Sequence, residues 1–282
     1  MRNNRRCFIA AAILAVMLMV AGCGKKDAGN QGAEVSGKVS ASGSTALLPL
    51  VKQAEADFKQ KYTAVDVSVS GGGSFTGLNQ VASGAVDIGN SDVPVTPELK
   101  DKGLVEHQVS VIPFIIVANP GVELDSLTQD QLIDIFTGKF TNWKQLGGKD
   151  QAIIIIGRSS SSGSRAAIKE IVLKGQEFSA QSVVQDSNGA VRAAISNTPG
   201  AIGYIDQAYV DKTVKPIKYN GVDYSVDNVA SGKYPIYTYG RMYTKGEAEG
   251  AVKAFIEFIQ SDDFQNEYVS QLGFVPINKM KK

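Results

Sequence analysis

The sequence predicts an α/β protein with largely parallel sheets, and three observations lead there. Short runs rich in Val and Ile alternate with stretches whose apolar residues recur at helical spacing. Turns rich in Gly and Ser separate them. No internal repeat interrupts this order. A strand-turn-helix order lays helices over a parallel sheet and leaves ligand sites at the carboxyl ends of strands, against helix N-termini.

The elements follow in sequence. Val39-Ser40-Ala41-Ser42 reads as a short strand. Leu47, Leu50, Val51, Ala54, Phe58 and Tyr62 then share one helical face, predicting a helix over 45–62. Val65, Val67 and Val69 alternate as in a strand, which Gly71-Gly72-Gly73 ends. A short helix runs through Leu78 and Val81, and Val86 and Ile88 mark a strand ending at Ser91-Asp92. Residues 109–118 form an apolar run of the kind that is buried on both faces. Thr128 and Gln131 have the spacing of a capping box before Leu132, Ile135 and Phe136. Ile153–Ile156 reads as a buried strand, and helices are expected over 164–174 and 188–198. Pro199-Gly200 closes the latter, before a strand over 201–205. A last helix, 247–260, carries Val252, Phe255, Ile256 and Ile259 on one face.

The N-terminus has its own grammar. Arg2, Arg5 and Arg6 precede the apolar stretch 8–22. As a helix that stretch reaches only ~22 Å, short of a hydrocarbon core of roughly 30 Å. A secretory signal is therefore expected over 1–22 rather than a membrane span. Val20-Ala21-Gly22-Cys23 resembles a bacterial lipobox, in which Cys23 becomes the lipidated first residue of an extracytoplasmic protein. The alternative is a plain signal peptide with a chance cysteine. Cys7 leaves with the signal, so the mature chain has no pair to bridge. Residues 23–36, small and polar, read as a flexible tether. Without 1–22 the chain carries 26 basic and 28 acidic residues, a net of −2. That near-neutrality argues against bulk nucleic-acid binding, which needs a basic stripe.

Four segments place small polar residues where a strand meets a helix. They are Ser42-Gly43-Ser44-Thr45, Gly71-Gly72-Gly73-Ser74, Ser91-Asp92, and Arg158–Arg165. Helix N-termini present unpaired N–H groups and partial positive charge, so they suit anions. Gly lets the backbone come close, hydroxyls add adaptable donors, and Arg158 adds a charged fork matched to a tetrahedral oxyanion. Each segment alone is equally an ordinary helix cap. Asp92 repels a fully ionised ligand but accepts a hydrogen bond from a protonated one. Phosphate near neutral pH keeps a proton and sulfate keeps none, so Asp92 facing the ligand selects phosphate. Its other reading is a turn-stabilising Asx residue.

Ser42–Leu47 (SGSTAL), Gly71–Ser74 (GGGS), Asp87–Asp92 (DIGNSD), Phe136–Trp143 (FTGKFTNW), Arg158–Arg165 and Pro199–Tyr204 (PGAIGY) together resemble, in order, the phosphate-binding proteins of bacterial ABC importers. The resemblance to this PstS-like family spans about 37–277. It implies a two-lobed periplasmic-binding-protein fold of the class II type, with two α/β domains on a two-strand hinge. Domain I is expected over 37–115 plus 240–282 and domain II over 116–239. By match, inorganic phosphate is held by Ser44, Thr45, Ala46, Ser74, Asp92, Arg158, Ser162, Gly163 and Ser164. The implied partners are a permease and its ATPase, with a monomeric receptor anchored to the membrane through lipid on Cys23. No cofactor, metal or covalent chemistry is implied. Two positions depart from the family. Ser159 stands where an acidic residue often follows the Arg, and Tyr239-Gly240-Arg241-Met242-Tyr243 replaces a more usual Arg-Pro-Leu-Tyr pattern. The latter segment is not expected to touch ligand.

Other readings stay open: sulfate as the ligand, a signalling receptor or adhesin on the same fold, or a phosphate-ester hydrolase. The last is disfavoured by a single histidine, His107, in a polar stretch read as surface, and by the lack of a Gly-x-Ser-x-Gly elbow. The Gly157–Arg165 loop lacks Walker spacing. Trp143 is expected to cap an apolar cluster. Lys279, Lys281 and Lys282 read as a solvated tail.

Overall fold

The computed structural model describes residues 35–280. The expected signal segment, Cys23 and nearly all of the tether lie outside the described residues, as do Lys281 and Lys282.

The first half of the chain gives strands β1 (Gly37–Gly43), β2 (Val65–Gly71), β3 (Ile88–Ser91), β4 (Leu104–Ala118) and β5 (Ser126–Leu127). Helices α1 (Leu48–Lys61), α2 (Ser74–Ser83) and α3 (Gln129–Phe136) lie among them. Next come β6 (Ile154–Arg158), α4 (Gly163–Ile171), β7 (Val183–Gln185), α5 (Asn188–Asn197) and β8 (Ala201–Asp206). The chain closes with β9 (Lys215–Pro216), β10 (Lys218–Tyr219), α6 (Val226–Ala230), β11 (Tyr237–Lys245) and α7 (Gly250–Gln260).

Nine strands join in one sheet of order β2-β1-β3-β11-β4-β8-β6-β7, with β9 added to β4. β5 and β10 form a separate pair. At each end of the large sheet the pairs are parallel, as the strand-helix alternation predicts: β1 with β2 and β3, and β6 with β7 and β8. The centre is antiparallel and differs from the expected largely parallel sheet. β11 runs against both β3 and β4, and β4 runs against β8.

This centre makes the fold two-lobed. β4 pairs with β11 as far as Pro113, then with β8 from Phe114 to Ala118. One strand thus serves both halves of the sheet. The return crossing lies just before β11, where the Phe114 N–H donates to the Ile236 carbonyl at 2.9 Å. We call the half built on β1, β2 and β3 the first lobe, and the half built on β6, β7 and β8 the second.

Each lobe has its own apolar packing. In the first, α1 buries Leu50, Val51, Ala54 and Phe58, the face that the spacing predicts. Phe58 meets Phe255 of α7 edge-on, with ring centroids 5.2 Å apart. Burying a side chain of that size is worth about 2–3 kcal/mol. In the second, Phe136, Phe178 and Tyr204 form a mutually packed triad. The Thr128–Gln131 capping box forms as expected at the start of α3. Trp143 is buried, and its indole N–H donates to the Gly200 carbonyl at 2.9 Å. It packs inside the lobe, in keeping with an apolar cluster.

His107 needs correction. It lies within β4, not on an open surface, and is half-buried, with Nε2 2.9 Å from Thr244 Oγ1. Burial pushes its imidazole below the usual pKa, so it is not the freely solvated residue that its polar neighbours suggest. Its strand is longer than the apolar run because residues 104–108 pair with β11 while remaining only partly covered.

Candidate functional site

Each functional segment sits where a strand ends and a helix begins. β1 ends at Gly43, whose φ of 137° is hard for any other residue to adopt, and a Cβ there would collide with the Asn90 backbone. That close approach lets the Ser44 N–H donate to the Asn90 carbonyl at 2.9 Å. The Ser44 hydroxyl accepts from the Leu47 N–H at 3.1 Å and gives its proton to Asp92. After β2, Gly73 caps α2 without a side-chain bond, so no hydroxyl blocks that N-terminus. The Ser74 hydroxyl accepts from the Asp92 N–H at 2.9 Å.

In the second lobe, β6 ends on Arg158, which is 2% exposed. Ser162 caps α4 by accepting from the Arg165 N–H at 3.1 Å. Ser164 donates to Asp92 Oδ2 at 2.9 Å, and Arg158 Nη2 donates to Thr45 Oγ1 at 3.2 Å. Both bonds run from one lobe to the other. Backbone contact accompanies them: the Phe75 N–H donates to the Ser161 carbonyl at 3.1 Å. At Gly163 a Cβ would lie 2.7 Å from Ser74 Cβ and 3.0 Å from Asp92 Cβ. The lobes meet here with no room for a side chain.

Ser44, Thr45, Ala46, Ser74, Asp92, Arg158, Ser162, Gly163 and Ser164 are therefore all buried at one place. Asp92 is 1% exposed. Burial pushes its carboxyl above the ordinary range, while the Ser44 and Ser164 hydroxyls and the Arg158 and Arg241 charges pull it back. Burial likewise lowers the Arg158 pKa, opposed most by the charge of Asp92. Arg158 Nη2 also donates to the Asp186 carbonyl at 3.1 Å. Its Nε and Nη1 are buried without a protein partner among the described residues. A buried guanidinium left half unpaired is costly unless an anion takes the remaining donors.

The hydroxyls sort themselves by proton. Ser44 and Ser164 give theirs to Asp92. Thr45, Ser74 and Ser162 act only as acceptors toward the protein, so each keeps a proton to donate. Chemically this is a donor-rich, sealed cleft with one carboxylate, suited to a small oxyanion that keeps a proton.

Four further residues stand near the site, outside the segments that the sequence assigns to it. Asn188, fully buried at the start of α5, donates to Thr45 Oγ1 through Nδ2 at 3.2 Å. Tyr209 donates its hydroxyl to the Thr45 carbonyl at 2.7 Å. Asp206 ends β8, with Oδ1 accepting from the Ala208 N–H and Oδ2 buried without a partner among the described residues. Ser187-Asn188-Gly189 follows the grammar of the other loops, a small polar residue at a helix start, so Asn188 was within reach. Asp206 and Tyr209 gave no such signal.

The fourth is Arg241, in the segment expected to stay away from the ligand. It reaches the wall of the site: Nη1 lies 3.3 Å from the Asp92 carbonyl, which also accepts from Thr238 at 2.7 Å. Its Nε pairs with Glu106 at 3.3 Å, and Tyr243 donates to the same carboxylate at 2.5 Å. The hinge strand β11 therefore braces Asp92 from behind. Ser159 offers no carboxylate to Arg158; its hydroxyl lies 3.0 Å from that of Ser161. Lys279 is exposed, as its tail position suggests. Among the described residues no group of His, Cys, Asp and Glu could hold a metal ion, and no helix is long and apolar enough to cross a membrane.

Comparison with known proteins places this geometry. A family profile described as a PBP superfamily domain matches residues 28–263. A phosphate-binding protein PstS of Bacillus subtilis (strain 168) is 41% identical over the whole of this chain and 97% of its own length. The phosphate-binding protein PstS of Borreliella burgdorferi is 29% identical over 85% of this chain and 90% of its own. Among solved structures, one from Clostridium perfringens is described as a substrate-binding protein of a phosphate ABC transporter with bound phosphate. It superposes with a TM-score of 0.82 at 32% identity, covering 86% of this chain and all of that one. A phosphate transport receptor from Vibrio cholerae gives a TM-score of 0.70 at 26% identity, covering 84% and 99%.

Proposed function

We propose, from the premise that this chain belongs to the PBP superfamily and within it to the phosphate-binding proteins of ABC importers, that it captures inorganic phosphate between its lobes and hands it to a permease. The observation that carries the proposal is Arg158, buried with two nitrogens that have no partner among the described residues, beside three hydroxyls that still hold a proton to give. Arg158 and the hydroxyls of Thr45, Ser74 and Ser162 bind the ionised oxygens. The backbone of Ala46, Gly163 and Ser164, at helix starts, adds N–H donors and partial positive charge. Asp92 accepts the remaining phosphate proton, held in place by Ser44 and Ser164. Sulfate has no proton to offer and meets an unpaired acceptor.

Closure swings the lobes on the two crossings. Domain I comprises about 37–115 and 240–282, and domain II about 116–239. The role is binding and delivery, with no bond made or broken in the ligand. Cleavage before Cys23 and lipidation of that residue hold a monomeric receptor at the outer face of the membrane, on a tether reaching to about residue 36.

Calorimetry on the chain lacking residues 1–23 tests the ligand. Phosphate is expected to bind, with sulfate far weaker. Equal or tighter sulfate binding overturns the choice of ion. Hydrolysis of a phosphate ester by the same preparation overturns the reading as a receptor.

A further inference from the structure

The Thr45 hydroxyl is crowded with donors. Arg158 Nη2 and Asn188 Nδ2 both reach Thr45 Oγ1 at 3.2 Å, and the Asn188 N–H lies 3.4 Å away. A hydroxyl has two lone pairs and one proton. The two shorter bonds fill the lone pairs, so the proton has to point elsewhere, into the cleft. The orientation of the Asn188 amide is fixed independently. Its Oδ1 accepts from the Asp206 N–H at 3.1 Å, which a flipped amide could not do. Nδ2 is therefore the atom that faces Thr45.

Thr45 belongs to the loop between β1 and α1, whereas Asn188 opens α5 in the other lobe. The contact therefore bridges the two lobes. Tyr209, from the same side as Asn188, holds the Thr45 carbonyl at 2.7 Å and limits how the loop can turn.

We propose that Asn188 is a positioning residue for anion capture: on closure it saturates the Thr45 hydroxyl as an acceptor and turns its proton toward the bound oxyanion. This rests on the phosphate reading above. Before closure the hydroxyl rotates freely and can accept from water. After closure it is a committed donor. Asn188 thereby lengthens the stay of the anion without touching it, and Tyr209 steadies the same loop.

The test is a double-mutant cycle on phosphate affinity and rates, in the chain lacking residues 1–23. Asn188→Ala is expected to weaken phosphate binding roughly 10-fold, the worth of one buried hydrogen bond. The loss should fall on the dissociation rate, with association unchanged, because the contact bridges the lobes. In a Thr45→Val background the same change should cost less than about 2-fold, since the hydroxyl it orients is gone. In a Thr45→Ser background the full effect should return. Additive losses, or an equal effect in the Thr45→Val background, overturn the proposal, as does a change confined to the association rate. Tyr209→Phe guards against a misfolded Asn188 variant. It is expected to raise the dissociation rate a few-fold with the unfolding midpoint unchanged, and an unaltered rate counts against the proposal. If the unsubstituted chain binds no phosphate, the reading of the ligand fails and this inference falls with it. If it binds phosphate and the cycle is additive, only the role of Asn188 fails.

Discussion

Two strand ends deliver a buried carboxyl near the cleft, and they treat it differently. At the end of β3, Asp92 receives hydroxyl protons from Ser44 and Ser164, and Arg158 and Arg241 act on its charge. At the end of β8, Asp206 receives backbone N–H groups on one oxygen, while the other has no partner among the described residues. Burial raises both carboxyls, but Asp206 is pushed well above the ordinary range, and the negative charge of Asp92 adds to the shift. Burial alone therefore does not decide what an acid does. The Asp92 surroundings hold a carboxylate ready to accept a proton from a ligand. Those of Asp206 favour the neutral acid.

The largest effect is expected on removing the cation that faces Asp92 across the cleft. Arg158→Met should weaken phosphate binding by about 3 kcal/mol, on the order of 100-fold, as titration calorimetry would read. Retained affinity would mean that helix starts and hydroxyls suffice. Next, Asp92→Asn should narrow the preference for phosphate over sulfate about 10-fold, because the amide no longer repels a fully ionised ligand. An unchanged ratio would return Asp92 to a turn-stabilising role.

Asp206 sharpens the contrast through pH. Its folded pKa lies above its unfolded value, so its contribution to stability is complete below about pH 3.9 and is lost as pH rises through the folded pKa. Asp206→Asn should remove that part of the decline, read as a shallower loss of stability in urea unfolding followed from pH 4 to pH 8. Parallel slopes for the two proteins would show that Asp206 does not titrate in that window. The smallest effect is expected at the brace behind Asp92. Arg241→Met should cost phosphate affinity about 0.5–1 kcal/mol, with Arg241→Lys recovering part of it. A loss as large as that at Arg158 would make Arg241 a direct participant.

What the sequence showed and what it hid divide along the same line. The Asp92 neighbours are legible because each comes from a short local pattern, with Gly, Ser or Thr where a strand meets a helix. Apolar spacing likewise predicts α1 and α7 within a few residues. The antiparallel centre escaped because β11 (YTYGRMYTK) has no apolar run, and its pairing with β3 and β4 is long-range. Arg241 looked remote for that reason: only the pairing of β11 beside β3 brings it to the Asp92 carbonyl. Asp206 was hidden in another way. It ends an apolar strand, AIGYID, where an acid reads as the onset of a solvated turn, yet it is fully buried.

Gly163 sets a mechanical tolerance. The two jaws meet at a clearance smaller than one methyl group, with Ser74 and Asp92 on the opposing surface. A single added carbon there works as a doorstop. Gly163→Ala is expected to hold the jaws apart while leaving the groups of each jaw in place. The change thus separates loading from latching within one molecule. Such a variant supplies an engineered phosphate sensor with its own zero-signal control, matched to the working version in every other residue.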